Sequence, residues 1–318
     1  MGITRKEALD CFASDDLIGI GMEADAIRRR LHPEGVVSYT IEGRVDSTSL
    51  GPKSGFEHVA AAISDLTARD GTAISLHAEP TPAHAIENFE DLFRTIKQRF
   101  PNLWLHCLSA GEILSLSEHS RLSLHDTIER LREAGLDSIP GDDAGILDDA
   151  VQHPDSRRRR KAEDWVAVHR TAHTLGIQTT AAMTFGAGET AEHRVHHLET
   201  LRELQQETGG FASFTPWTST PRAASAQGFE EATAVEYLKT LAISRMVLDN
   251  IPNVQSHLET QGLKVLQVSL RFGANDAGSL PLSGSTNYAT EEQIRQVIRD
   301  AGFRPVQRDT LYRTMFLT

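Results

Sequence analysis

Apolar residues recur at helical spacing through the first 31 residues of the chain, and strand-like and helix-like segments alternate after them. Residues 4–31 carry one apolar stripe that predicts a buried helical face, formed by Leu9, Leu17, Ile18, Met22, Ala26, Ile27 and Leu31. From residue 35 onward, short runs rich in apolar and β-branched residues predict eight strands. These are Gly35–Val45, Thr72–Ala78, Leu103–Ser109, Ser138–Pro140, Gln178–Phe185, Phe211–Trp217, Asn253–His257 and Val265–Phe272.

Amphipathic helices are predicted between several of these strands and after the last one. They span Ile86–Arg99, Leu124–Ala134, Asp164–Leu175, Ala191–Thr208 and Glu291–Ala301. Strands separated mostly by helices predict an α/β protein, a (β/α)8 or related TIM-like barrel with an N-terminal helical extension. In that architecture the functional site lies at the carboxyl ends of the strands.

The 318 residues are predicted to form a single domain. The sequence contains no internal repeat, low-complexity tract or linker-like stretch. Residues 1–34 are interpreted as a helical N-terminal extension, residues 35–276 as the barrel and residues 277–318 as a C-terminal extension.

Composition and charge indicate which kinds of molecule the protein binds. Acidic residues outnumber basic ones by 44 to 32, a net charge of −12, which argues against nucleic acid because phosphate binding needs concentrated Lys and Arg. No apolar run approaches the roughly 20 residues that cross a bilayer. We therefore expect a cytoplasmic protein with a small-molecule substrate and no nucleic-acid or membrane partner. The sequence identifies no protein partner.

The chain contains two cysteines, Cys11 and Cys107, which lie far apart in the sequence and form no C-x-x-C pair. This count indicates neither a disulfide framework nor a zinc ribbon. A cysteine-ligated iron–sulfur cluster takes three or four thiolates, which two cysteines cannot supply.

Several longer segments are more specific than a general barrel pattern. They are Gly135–Gly141, Thr179–Gly186 with Glu189 and Thr190, Glu203–Gln205, Glu207–Phe211, Phe214–Trp217, Leu248–Asn253, Leu270–Asp276 and Ala301–Tyr312. In this order they resemble the cyclic dehypoxanthine futalosine synthase family, radical S-adenosylmethionine enzymes of the futalosine route to menaquinone. Aminofutalosine synthase and the deazaflavin-forming synthases are more distant relatives. The resemblance runs from about Thr4 to Tyr312 and implies a barrel of the radical S-adenosylmethionine type.

The chain departs from the family pattern where the family binds its cluster. The resemblance implies a C-x3-C-x2-C loop after the strand Val36–Val45, with three thiolates that hold a [4Fe–4S] cluster. Residues 46–56 of this sequence contain no cysteine, and the loop is shorter. We therefore expect no iron–sulfur cluster and no radical chemistry, because the protein has lost the ligands of the group that supplies it.

Three further departures are expected at the same mouth of the barrel. The family's second strand ends in Gln-Gly-Gly, and residues 77–79 read His-Ala-Glu instead. The family's Gly-Gly-Gly-Ala-Glu is replaced by residues 141–145, which include Asp142 and Asp143. The loop after Asp276 is abbreviated. Together these changes predict that the mouth of the barrel differs from that of the family in shape and chemistry and binds a different ligand.

Other positions are retained and predict a ligand pocket. The resemblance places Gly186, Glu189 and Thr190 in the segment that contacts the adenosine of S-adenosylmethionine. It places Ser109 and Glu112 near the ribose and the substrate. The full set predicted to bind ligand is His106, Ser109, Glu112, Gly186, Glu189, Thr190, Trp217 and Arg271. S-adenosylmethionine is therefore a candidate ligand.

His77, Glu79, Asp142 and Asp143 are predicted to carry the chemistry. Carboxylates in a partly dry barrel mouth tend to have raised pKa values, which suits general acid–base catalysis. The same residues with His106 form a nitrogen- and oxygen-rich set that suits a divalent metal, the less favoured interpretation. In the purely structural interpretation, Asp142 and Asp143 are solvated loop residues that cap the next helix.

Two functions remain open from the sequence. The first is a biosynthetic enzyme of redox-neutral chemistry, an elimination, isomerisation or cyclisation, on a small polar substrate, for which a nucleoside-derived compound is one candidate. The second is a non-catalytic pseudoenzyme that binds S-adenosylmethionine or a nucleoside, or that partners a true radical enzyme. The intact strand-end motifs favour retained ligand binding in either case.

Overall fold

A computed structural model describes residues 2–47, 55–78, 85–151, 160–220, 224–225, 228–281, 289–313 and 315–316. The N-terminal segment forms two helices, α1 (Arg5–Ala13) and α2 (Leu17–Leu31). Thr4 caps α1 in a capping box with Glu7, and the Asp16 carboxylate caps α2 by accepting the amide of Gly19. The predicted helical extension therefore exists, with a break before Asp16.

The strands are β1 (Val36–Ser47), β2 (Ala73–Ala78), β3 (Trp104–Cys107), β4 (Thr179–Phe185), β5 (Phe211–Thr218), β6 (Asn253–Val254), β7 (Asp276–Pro281), β8 (Arg304–Arg308) and β9 (Met315–Phe316). The remaining helices are α3 (Gly55–Thr67), α4 (Ile86–Arg99), α5 (Ala110–Ser120), α6 (Leu124–Ala134), α7 (Ala162–Thr174), α8 (Ala191–Thr208), α9 (Ala234–Val247), α10 (Leu258–Ser269) and α11 (Glu291–Asp300).

The strands close into a parallel ring. β1 pairs with β2, β2 with β3, β4 with β5, β5 with β6, and β7 with β1. Isolated parallel bridges supply the remaining joins: His106 with Ser138, Ile139 with Thr179, and Gln255 with Asp276. Residues 138–139 thus serve as the short strand between β3 and β4, and the predicted TIM-like barrel is confirmed.

One predicted strand, Val265–Phe272, is wrong. Residues 258–269 form α10, in which Leu266, Ser269 and the following Leu270 are buried at helical i, i+3 and i+4 spacing. A short apolar run does not by itself distinguish a strand from a buried helix segment. The strand that completes the ring is β7, a few residues farther along the chain.

The predicted end of the barrel at residue 276 is also too early. Asp276 is the first residue of β7, and β7 pairs with β1. β8 pairs in parallel with residues 36–39 of β1, while β2 pairs with residues 42–47. The region assigned as a C-terminal extension therefore contributes strands to the barrel sheet.

Alternation along β1 sorts its side chains between two environments. Val37, Tyr39 and Ile41 are buried in the apolar core. The alternate residues Thr40 and Glu42 line a cavity inside the ring, as strand geometry requires for every second side chain. None of the helices in the described ranges has the length and apolar character needed to span a membrane.

Candidate functional site

A cavity of about 160 Å³, lined by many polar residues, lies inside the barrel. Many barrels fill this space with branched apolar side chains. Here the lining includes Thr40, Glu42, Ser75, His77, His106, Asp142, Thr180, Thr215, Trp217, Gln255, His257, Arg308 and Thr310. The polar lining makes the cavity the candidate site.

His77 lies between two carboxylates at this cavity. Its Nε2 is 3.5 Å from Oδ2 of Asp142, and its Nδ1 is 3.7 Å from Oε2 of Glu112. Ser75 Oγ is also 3.1 Å from Nε2 of His77. Burial lowers the pKa of His77, but the Glu112 hydrogen bond and the Asp142 charge outweigh burial and raise that pKa above its ordinary value. The site therefore favours the protonated imidazolium.

The loop that carries Asp142 passes very close to β4. A Cβ on Gly141 would lie 2.3 Å from the carbonyl oxygen of Thr180, so only glycine permits this approach. Asp142 lines the cavity, and its Oδ1 is shielded from solvent without a hydrogen-bond partner among the described residues. The structure thus brings together His77 and Asp142, two of the residues predicted to be catalytic.

Asp143 has a different environment, outside the cavity lining. Its Oδ2 accepts the amide of Gly111 at 2.7 Å, and its Oδ1 accepts Nε1 of Trp165 at 3.1 Å. The residue is exposed at its surface side, while both oxygens are held by these donors. Desolvation there, with the neighbouring charge of Asp142, raises the pKa of Asp143 to about 6. The carboxylate joins the loop to α5 and α7.

Ser109 and Glu112 start α5 at the carboxyl end of β3. The Glu112 carboxylate accepts the Ser109 amide at 2.7 Å, and the two side chains form a capping box. Both residues are buried. Glu112 therefore reaches the site through His77, whereas Ser109 serves the helix start.

His106 lines the cavity from β3 and forms a 2.5 Å hydrogen bond between Nδ1 and the hydroxyl of Ser138. Burial, with the nearby charge of His77, lowers the pKa of His106 to about 3. His106 is therefore neutral near pH 7, unlike His77.

The predicted adenosine-contact segment is occupied by internal contacts. The Glu189 carboxylate accepts the amides of Gly186 at 2.8 Å and Ala187 at 3.0 Å, and it pairs with Arg194 at 2.6 Å. Thr190 caps α8 by accepting an amide of its first turn. The contacts of Glu189 and Thr190 hold this loop in shape, and neither residue lines the cavity.

Trp217 lines the cavity from β5, as predicted for a ligand-facing residue. Its ring stacks on His257 with centroids 4.4 Å apart and an interplanar angle of 16°. Its Nε1 is buried and has no acceptor among the described residues. The tryptophan therefore offers both a flat surface and an unused donor.

Arg271 does not reach the site, and its prediction as a ligand-binding residue is corrected. It follows α10 instead of ending a strand, and its guanidinium donates to the carbonyl of Ala301 at 2.9 and 2.6 Å. It also stacks over Phe303 at 4.3 Å. The wrong assignment of Val265–Phe272 as a strand produced this error.

Glu79, the fourth residue predicted to be catalytic, lies outside the described residues, as do residues 48–54 of the loop that resembles the cluster-binding segment.

Sequence reasoning missed Glu42 and Arg308, which both line the cavity. Desolvation raises the pKa of Glu42 despite the nearby charge of Arg308. Arg308 pairs with buried Asp276 at 2.5 Å, and its guanidinium lies over the Tyr312 ring at 4.0 Å. In the sequence, Glu42 shares only the alternation of β1 with Thr40, and that alternation alone does not separate a cavity-facing residue from a solvent-facing one.

Apart from Glu79, which lies outside the described residues, the residues considered for a metal do not form a group close enough to share an ion. Among the described residues, the group of three potential ligands close enough to share an ion is His125, Asp126 and Glu129, on α6. His125 and Asp126 are exposed, and acidic surface groups of this kind are common without an ion.

The thiols also fail to form a ligand set. Cys107 is fully buried in β3, where Sγ donates to the carbonyl of Ile74 at 3.6 Å. Cys11 lies on α1, outside the strand ring. Two cysteines on these separate elements do not fit a cluster that needs three or four thiolates.

Solved structures confirm the barrel type. Methylornithine synthase matches with a TM-score of 0.70 and 14% identity, over 96% of this chain and 94% of that one. The FeFe-hydrogenase maturase from Carboxydothermus hydrogenoformans matches with a TM-score of 0.71 and 15% identity, over 98% of this chain and 78% of that one. At these identities the likeness concerns the fold alone.

Sequence relatives identify the family. Cyclic dehypoxanthine futalosine synthases from Halalkalibacterium halodurans and Streptomyces coelicolor are each 33% identical over 98% of this chain, covering 90% and 85% of their own lengths. An aminodeoxyfutalosine synthase from Thermus thermophilus is 38% identical over 76% of this chain and 68% of its own length. The family model described as the CofH/MqnC C-terminal region matches residues 208–317. On these grounds the chain belongs to the cyclic dehypoxanthine futalosine synthase family.

Proposed function

We propose that this protein is a biosynthetic enzyme of redox-neutral chemistry that acts on a small polar substrate in the barrel cavity. The reaction class is an elimination, isomerisation or cyclisation, and it proceeds without an iron–sulfur cluster. The observation that carries the reaction type is the position of His77 at the cavity, 3.5 Å from Asp142 and 3.7 Å from Glu112. Membership of a family of biosynthetic enzymes supports the general role.

The absence of suitable ligands supports chemistry without the family's cluster. Cys107 is buried and bonded within β3, and Cys11 belongs to α1. The residues present therefore do not fit a thiolate-bound cluster. His77 and Asp142, which line the cavity, can supply proton transfer instead.

The proton path uses His77 as acid and Asp142 as base. Glu112 and Asp142 hold a proton on His77, because both carboxylates favour its charged form. In an elimination, Asp142 takes a proton from carbon and His77 protonates the oxygen that departs as water. The electron pair of the C–H bond becomes the new π bond, so no oxidant or reductant is required.

Asp143 acts in this scheme as a positioning residue. Its contacts with Gly111 and Trp165 fix the loop that presents Asp142 against the first turn of α5, which carries Glu112. Asp143 does not line the cavity, so we assign it no contact with substrate.

S-adenosylmethionine stays a candidate ligand, used intact. The loop from Gly186 to Thr190 keeps its family motif, although Glu189 is engaged with backbone amides and Arg194. Calorimetric titration without iron or reductant tests this point. Saturable heat would support binding, and no heat up to millimolar ligand would remove S-adenosylmethionine from the proposal.

The decisive experiment is a turnover screen of the purified protein in D2O without iron or reductant. The panel holds neutral sugars, sugar phosphates and futalosine-type nucleosides, and mass spectrometry and NMR detect loss of water or deuterium bound to carbon. We expect at least one compound to react. His77→Gln should slow that reaction by about 100-fold, within the range contributed by general acid–base groups.

His119→Gln is the matched control, because His119 is an exposed histidine on α5. Turnover that appears only with added iron, sulfide and reductant would contradict the proposal. Binding of a panel compound without any turnover would instead support the pseudoenzyme alternative.

A further inference from the structure

Unpartnered polar atoms gather around the barrel cavity. Five lining residues each carry a side-chain atom that is shielded from water and has no hydrogen-bond partner among the described residues: Thr40 Oγ1, Glu42 Oε1, Asp142 Oδ1, Trp217 Nε1 and Thr310 Oγ1. Folded proteins pair the large majority of their buried polar groups. A concentration of unpaired groups at one cavity indicates a missing partner, which a ligand can supply.

The chemistry of these atoms defines what the ligand must offer. The carboxylate oxygens of Glu42 and Asp142 accept hydrogen bonds, whereas Nε1 of Trp217 only donates. The threonine hydroxyls can do both. The ligand must therefore carry donors and acceptors together, which is the property of a hydroxyl group. An ammonium group would leave Trp217 unpaired, and a phosphate would leave both carboxylates unpaired.

The charge distribution also disfavours an anion. The Arg308 guanidinium is already engaged, with Nε and Nη2 on Asp276 at 2.5 and 2.9 Å and Nη1 on the carbonyl of Asp309 at 3.0 Å. Glu42 and Asp142 add acidic groups to the lining.

Size and shape limit the ligand further. The cavity of about 160 Å³ is smaller than the roughly 300–1,000 Å³ of drug-sized ligand sites. The parallel rings of Trp217 and His257 provide a flat apolar surface at one side. This combination suits a small ring with hydroxyl groups at its edge and C–H groups on its face.

We propose that the cavity binds a neutral, compact, polyhydroxylated compound of about monosaccharide size. Its hydroxyl groups donate to Glu42 and Asp142, and one of its oxygens accepts from Nε1 of Trp217. This inference rests on the proposed function for the site and adds to it the substrate class, which excludes phosphorylated sugars and intact nucleosides.

Binding is tested by calorimetry and intrinsic fluorescence with D-ribose, D-xylose and D-glucose as neutral probes, and with D-ribose 5-phosphate and inosine as comparisons. At least one neutral sugar should bind saturably. D-ribose 5-phosphate and inosine should bind at least about 10-fold more weakly, because they add a repelled anion or exceed the cavity.

Two substitutions test the assigned contacts. Trp217→Phe keeps an aromatic ring and removes the Nε1 donor, and Glu42→Gln removes the charge while keeping the shape. Each should weaken binding of the neutral sugar by about 10-fold, the expected effect of leaving a buried partner unpaired. Trp104→Phe is the matched control, since Trp104 does not line the cavity, and it should leave the affinity unchanged. Circular dichroism confirms that each variant is folded.

The outcomes separate this inference from the proposed function. Binding of D-ribose 5-phosphate or inosine in preference to every neutral sugar would overturn the substrate class, as would no binding by any probe. Sugar binding that depends on Trp217 but yields no turnover would support the substrate class and contradict the acid–base function. Turnover of a nucleoside without sugar binding would support the acid–base function and contradict the substrate class.

Discussion

The Arg308 guanidinium holds the Asp276 carboxylate through Nε at 2.5 Å and Nη2 at 2.9 Å, with both side chains almost completely buried. Asp276 opens β7 and Arg308 ends β8, and both strands pair with β1. Ser38 on β1 also donates its hydroxyl to Asp276. The ion pair therefore fastens together three strands beside the cavity.

Breaking this pair should strongly destabilise the fold. Arg308→Met leaves the Asp276 carboxylate buried without its counter-ion, and we expect the free energy of unfolding to fall by about 3–5 kcal/mol. Urea unfolding followed by circular dichroism measures the change.

The matched control is Arg299→Met, which removes the largely exposed pair with Glu292 on α11. This change should cost at most about 1 kcal/mol. Equal losses in the two variants would show that the buried pair has no special role in the barrel.

The two cysteines should differ in reactivity. Burial raises the pKa of the Cys107 thiol far above its ordinary value, and the residue has no exposed surface. Cys11 is only partly buried, although burial raises the pKa of its thiol as well. Because the thiolate is the reactive form, a disulfide reagent should label one thiol slowly in the native protein and two after unfolding.

Single substitutions assign the labelled thiol. Cys11→Ser should abolish native labelling, and Cys107→Ser should leave it unchanged. Fast reaction of both thiols in the native protein would mean that β3 opens readily, which would contradict the packing of Cys107 against β2.

The sequence predicted most of the barrel because its amphipathic helices and strands repeat in order. It predicted His77 and Asp142 because both replace family residues at the mouth of the barrel, and the structure brings their side chains to 3.5 Å. Arg271 was misplaced for a physical reason. The apolar run before it suits a buried helix as well as a strand, and only packing decides between them.

Glu42 could not be singled out in the same way. A charged residue in the polar phase of a strand usually faces solvent, so its sequence position does not reveal a closed ring. Only the pairing of β1 with β2 and β7 turns that face into a cavity. The unpaired atoms of Trp217 and Thr310 likewise depend on tertiary contacts that no local pattern records.

Asp143 should stabilise the fold through its two acceptor oxygens. Asp143→Ala removes the acceptors of the Gly111 amide and of Trp165 Nε1, and we expect the free energy of unfolding to fall by about 0.5–1.5 kcal/mol. Trp165 fluorescence should change in the native state as its hydrogen bond is lost. Urea unfolding and emission spectra provide the two measurements.

Asp65→Ala, at an exposed acidic residue of α3, is the control and should change neither measurement.

The contribution of Asp143 should also depend on pH. Its pKa of about 6 in the folded protein exceeds the ordinary value, so its ionisation opposes folding and stability falls as pH rises through about 6. If Asp143→Ala leaves the free energy of unfolding unchanged at every pH, these contacts do not stabilise the fold.

The contribution of His77 to folding stability should depend on pH, because two carboxylates hold its imidazolium form. Glu112 and Asp142 raise the pKa of His77 in the folded protein against burial and the charge of Arg44, so the folded state binds this proton more tightly than the unfolded chain does. The stabilisation is therefore complete below the ordinary histidine pKa and is lost as pH rises through the raised value. Thermal unfolding of wild type and His77→Gln should show the largest difference near about pH 5.5 and a smaller one near about pH 8.5, while His119→Gln follows wild type. A difference that grows with pH would mean that burial dominates and that His77 is neutral in the cavity.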